Sequence, residues 1–103
     1  MVFTTYKAAE YGFKIKVADR DKFFSRNWKN IVLKLPIRNG FIEAVCNIEK
    51  PSFWNDKCHE VIKKEIGLWL MENEYAKWSK RKPFKFEVKH IRDNVFELIG
   101  EVK

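Results

Sequence analysis

The chain has 103 residues, the usual size of one domain, so we expect a single core formed from residues 1–103. Hydrophobic residues make up 46% of the chain and include nine Phe and four Trp, which excludes intrinsic disorder, because disordered segments are poor in aromatic residues. No apolar run approaches the ~20 residues of a membrane-spanning helix, and the formal net charge of +7 favours a polyanionic partner.

Location and cofactor use are predicted from the first residues and the cysteines. Residues 1–7 lack the charged start and long apolar run of a secretory signal, so we expect a cytoplasmic protein. Cys46 and Cys58 are then expected to be free thiols. With no further Cys and no glycine-rich phosphate loop, we expect neither a metal nor a cofactor.

The first strand signal lies at residues 11–17, where apolar and charged residues alternate. Residues 31–37 and 41–48 alternate in the same way around Asn39-Gly40, the pair favoured in two-residue hairpin turns. This turn sets four pairs on one face of the sheet: Ile37 with Ile42, Leu35 with Ala44, Leu33 with Cys46, and Ile31 with Ile48.

A long amphipathic helix is predicted next, from Ser52 or Asn55 to about Lys80. The residue before Pro83 avoids helical geometry and ends it. Its apolar stripe consists of Trp54, Cys58, Val61, Ile62, Ile66 and Trp69.

Residues 84–90 alternate again, and residues 95–102 form the last strand. A tight turn at residues 93–94 would pair Leu98, which is expected in the core, with the charged Lys89. We therefore predict a longer loop there. The expected fold is α+β, an antiparallel sheet of about five strands in the order strand, hairpin, long helix, hairpin, with one helix packed across one face.

The positive charge is concentrated in two segments. Residues 1–38 hold nine basic and three acidic side chains, and residues 77–92 hold seven basic and one acidic. Strand alternation directs the strand lysines to the outer face, where they would form one basic surface with the end of the helix. The predicted nucleic-acid-binding residues are Lys14, Lys16, Lys34, Lys77, Trp78, Lys80, Arg81, Lys82, Lys85, Lys89 and Arg92.

A small basic nucleic-acid-binding protein, gripping mainly phosphates, is therefore the first functional hypothesis. The same lysines are also typical of an ordinary solvated sheet face without a ligand. In that interpretation Trp78 packs into the core. The alternative hypothesis is a non-catalytic protein-binding or regulatory adaptor that forms a homodimer. Its interface would be the apolar helix segment that carries Leu68, Leu70 and Met71.

An enzyme is the weaker hypothesis. Neither His59 nor His90 has partners at a sharp metal-binding or catalytic spacing. A metal-dependent nuclease would need clustered carboxylates, and Asp93, Glu97 and Glu43 would converge only if the two hairpins were neighbours.

Overall fold

The computed structural model describes residues 1–79 and 81–103. Within these residues, seven strands and three short helices follow one another along the chain. They are β1 (Val2–Lys7), β2 (Tyr11–Ile15), α1 (Val17–Phe23), β3 (Asn30–Ile37), β4 (Gly40–Asn47), α2 (Pro51–Trp54), β5 (Glu60–Ile62), α3 (Lys64–Glu72), β6 (Lys85–Arg92) and β7 (Val95–Glu101).

All seven strands belong to one sheet, in the order β4-β3-β7-β6-β1-β2-β5. Neighbours are antiparallel except β3 and β7, which are parallel. The two edge strands, β4 and β5, contact each other, so the sheet curls into a nearly closed, barrel-like form around an apolar interior. The expected five-stranded sheet with one long helix across it is therefore wrong. No helix in the described ranges has the length and apolar character to cross a membrane.

The predicted long helix is replaced by α2, β5 and α3. After α2, the Asn55 side chain accepts hydrogen bonds from the backbone N–H groups of Lys57 and Cys58, each at 2.8 Å, and this turns the chain. The next residues pair with β2 as β5. Gly12 permits this pairing, because a Cβ at that position would lie 2.2 Å from the Val61 carbonyl oxygen. Tertiary strand pairing has overridden local helix propensity.

The α3 helix ends well before the predicted boundary. The backbone N–H of Asn73 donates to the Trp69 carbonyl at 3.1 Å, and Glu74 takes a left-handed φ of 63°. This conformation stops the helix. The predicted boundary, Lys80, lies outside the described residues.

The first hairpin is confirmed, but its register is shifted by two residues. The turn is Arg38-Asn39, so Leu35 pairs with Ile42 instead of Ala44. Gly40 follows the turn at φ 147°, a conformation that glycine adopts without strain. Because the shift is even, each side chain keeps its predicted face.

The second hairpin closes through the tight turn at residues 93–94, not through the longer loop that we expected. With regular pairing, this turn would place the apolar Leu98 opposite the charged Lys89. An irregularity at Ile91, which has no partner on β7, prevents that pairing. This β-bulge shifts the pairing so that Val88, not Lys89, lies opposite Leu98. Both of these residues are buried.

Candidate nucleic-acid interface

A groove of about 660 Å³ runs along β1 and β2 and is closed on one side by residues 76–78 and Pro83. Its lining combines three aromatic rings with three lysines, and we call it the aromatic–basic groove. The residues lining it are Tyr6, Tyr11, Trp78, Lys7, Lys14, Lys77, Thr4, Thr5, Ala76 and Pro83.

The pairing of β1 with β2 sets the position of the groove's first ring and its lysine. Tyr6 lies opposite Gly12, which has no side chain, and Lys14 lies opposite Thr4. The Lys14 ammonium therefore reaches diagonally over the Tyr6 ring, 5.6 Å from its centre. Lys7 lies directly opposite Tyr11, and its ammonium is over the Tyr11 ring, 4.7 Å from its centre.

The opposite wall of the groove is held by hydrogen bonds to β1 and β2. The Tyr11 hydroxyl donates to the Ala76 carbonyl at 3.1 Å. The Thr5 backbone N–H donates to the Phe84 carbonyl at 2.8 Å, and the Phe84 N–H donates to the Thr5 hydroxyl at 3.0 Å. Trp78 packs edge-on against Tyr11, with ring centres 6.0 Å apart. These contacts fix Trp78 beside the strands while its ring stays half-exposed.

The Tyr6 ring is neutral at physiological pH. Burial, and next the negative charge of Glu60, raise the pKa of its hydroxyl above the ordinary value. The protonated hydroxyl is a hydrogen-bond donor, which suits an anionic ligand.

The structure brings only part of the predicted basic surface together. Lys14, Lys77 and Trp78 line the groove. Arg81 and Lys82 are exposed and directly precede Pro83 of the groove lining, and Lys85 lies opposite Thr4 on the neighbouring strand. Lys80 falls outside the described ranges.

Lys34 and Lys89 do not extend this basic surface. Lys34 lies directly between Glu43 and Glu97 on its two neighbouring strands, and Glu97 lies opposite Lys89. The four residues form a row of alternating charge on the outer face, so the lysines are offset by carboxylates. The expected continuous lysine face is therefore not formed, because the order of the strands, and not alternation alone, decides which side chains are neighbours.

Lys16 and Arg92 also lie away from the groove. Lys16 is the residue before α1, outside the groove lining. Arg92 ends β6, roughly 23 Å along the strand from Lys85 at 3.3 Å per residue.

Three of the six aromatic and basic groove residues were not predicted: Tyr6, Lys7 and Tyr11. Tyr6 and Lys7 belong to β1, a strand that was not predicted although Val2–Lys7 is rich in β-branched and aromatic residues. That composition was the available signal. Their convergence with Trp78 depends on long-range pairing and carries no local sequence pattern.

The predicted dimer segment is divided between core and surface. Leu70 is fully buried, whereas Leu68 and Met71 are exposed on α3. Leu70 therefore belongs to the core of this chain.

The described residues offer no metal-binding cluster, and the buried Cys46 is a weak nucleophile, whereas Cys58 is an exposed free thiol. Among residues 1–79 and 81–103, no group of three or more His, Cys, Asp or Glu side chains could hold a metal ion. Burial raises the pKa of the Cys46 thiol to about 12, so the thiol stays protonated and is a poor nucleophile.

Comparisons of the chain with protein-family models, curated proteins and solved structures gave no match. A functional hypothesis for this chain therefore rests on its own residues.

Proposed function

We propose that the protein binds single-stranded nucleic acid in the aromatic–basic groove. The observation that carries this proposal is the convergence of three aromatic rings and three lysines in one groove. Proteins that hold unpaired strands combine these two features, a positively charged groove for the backbone and aromatic side chains for the bases.

The rings favour unpaired over paired strands. Base faces inside a duplex are already stacked, so a side chain can stack only on a base that has left the helix. Tyr6 and Trp78 are half-exposed and supply the stacking surfaces. Tyr11 is held by its hydrogen bond to Ala76 and acts as a positioning residue between Trp78 and the strands.

The lysines supply contacts with phosphates. Lys7, Lys14 and Lys77 lie within the groove, and the exposed Arg81 and Lys82 extend the positive charge beyond it. Binding through such contacts releases condensed counterions and weakens steeply as salt is added. An intracellular site of action, where the thiols stay reduced, is part of the same proposal.

A direct test is an anisotropy titration of labelled ~12-nucleotide single strands, one DNA and one RNA, and the corresponding duplexes. At ~50 mM salt we expect the single strands to bind at least about tenfold more tightly than the duplexes, because only they offer free base faces. Tighter binding of RNA than of DNA, or the reverse, would identify the preferred strand. Absence of binding to every oligonucleotide, or tighter binding to the duplexes, would overturn the proposal.

A further inference from the structure

The outer face of the four strands β4, β3, β7 and β6 carries the row of alternating charge described above. In spatial order its members are Glu43, Lys34, Glu97 and Lys89, one on each strand. None of the four forms a salt bridge within the described residues, where the one ion pair joins Arg20 and Asp21. The Lys34 ammonium lies over the Phe41 ring, 5.6 Å from its centre, and no close ion pair within the row prevents the four side chains from pairing with a partner.

Apolar side chains flank this charged row on both sides. On one side, Val32 lies between Val45 and Val95 on the two neighbouring strands. On the other side are Phe41 and Ile99, which are 46% and 47% exposed. No helix in the described ranges covers these residues, so the face combines exposed apolar area with an ordered charge pattern.

We propose that this outer face is a homodimer interface, and that its partner is a second copy of the same chain. Charge complementarity under twofold symmetry supports this pairing. A twofold axis along the strands, between β3 and β7, reverses the order of the row. Glu43 then faces Lys89 of the second copy, and Lys34 faces Glu97 of the second copy. All four contacts are between opposite charges, and Val32 faces an apolar residue, Val95 of the second copy.

The available area sets the strength of this dimer. Four strands about 4.8 Å apart and about eight residues long cover roughly 19 Å by 26 Å. Because the sheet curls, two such faces bury at most on the order of 1,000 Å², the lower limit for a specific interface. The dimer is therefore weak, with a dissociation constant in the micromolar range or above.

The interface lies on the opposite half of the sheet from the aromatic–basic groove. The groove is formed on β1 and β2, whereas the dimer face ends at β6. Dimerisation leaves both grooves open. The dimer and the groove are independent, so either can fail without the other.

The test is sedimentation equilibrium of the full chain from ~10 µM to ~1 mM. We expect a monomer–dimer equilibrium in which Lys34→Glu raises the dissociation constant at least about tenfold, because two symmetric contacts become Glu–Glu. Combining Lys34→Glu with Glu97→Lys restores opposite charges across the interface and is expected to restore the dimer.

A second pair of variants tests the apolar part of the face. These variants also test the proposal if Lys34→Glu does not fold. Ile99→Thr is expected to weaken the dimer, whereas Leu68→Thr, at a similarly exposed residue on α3, leaves it intact. A monomer at every concentration, or a dimer unaffected by Lys34→Glu and Ile99→Thr, would overturn the proposal. So would dissociation by Leu68→Thr alone, which would move the interface to α3.

Discussion

Replacing Trp78 with leucine is expected to lower the affinity for a single-stranded oligonucleotide about ten- to hundredfold, the usual cost of losing one base–aromatic stack. The indole ring is half-exposed in the aromatic–basic groove and carries no charge. The variant should therefore keep the salt dependence of the wild-type protein while its affinity falls at every salt concentration. Anisotropy titrations at two salt concentrations measure both quantities.

The matched control for Trp78→Leu is Phe41→Leu. Phe41 is an exposed aromatic residue on β4, outside the groove lining. At nanomolar protein, where self-association is negligible, this variant should bind like the wild-type protein. Equal affinities for the two variants, with both folded by circular dichroism, would remove Trp78 from the binding site.

Arg20→Leu is expected to lower the free energy of unfolding by about 2–4 kcal/mol, because it leaves carbonyl groups without their donor. Arg20 is 2% exposed on α1. Its guanidinium donates to the carbonyls of Phe53 at 2.9 Å and Asn55 at 2.7 Å, which ties α1 to the end of α2. For a domain of this size, the midpoint of thermal unfolding should fall by about 10–25 °C.

Arg26→Leu is the control for Arg20→Leu. Both guanidinium groups lie over the Trp54 ring, that of Arg20 at 5.5 Å from its centre and that of Arg26 at 4.7 Å, but Arg26 is exposed. Its loss should cost at most about 1 kcal/mol. If calorimetry gave similar losses for the two variants, the hydrogen bonds of Arg20 would not be the source of its contribution.

The strands with clear alternation were predictable from local sequence. Residues 31–37 and 41–48 gave the first hairpin, and the buried Leu33 and Leu35 lie on the predicted face. The exact register was not predictable, because Asn39-Gly40 also allows a turn one residue earlier. The bulge at Ile91 was not predictable either, because the alternation of apolar and polar residues does not show which residue lacks a partner.

The segment between the hairpins could not be predicted from propensity. Its residues favour a helix locally, but Val61 and its neighbours gain more by pairing with β2, where Gly12 leaves room for them. This contact joins residues about 50 positions apart in sequence. No local window contains that information.

The candidate site was predicted only in part, because its assembly also depends on contacts between residues far apart in the sequence. Lys14, Lys77 and Trp78 were identified from charge and composition, and they do line one groove. Lys34 and Lys89 were also expected to contribute, since alternation puts them on the outer face. Their carboxylate neighbours became apparent only from the strand order, in which β7 lies between β3 and β6.

The most direct test of nucleic-acid binding in the groove is the salt dependence of single-strand affinity in two double variants. Each loses two positive charges: Lys14→Ala/Lys77→Ala inside the groove, and Lys16→Ala/Lys22→Ala on or beside α1, outside its lining. Loss of two phosphate contacts should make the slope of log K against log salt shallower by about 1.4 for the groove variant and leave it unchanged for the control. The same slope change in both variants would show a diffuse charge effect and contradict a binding site in the groove.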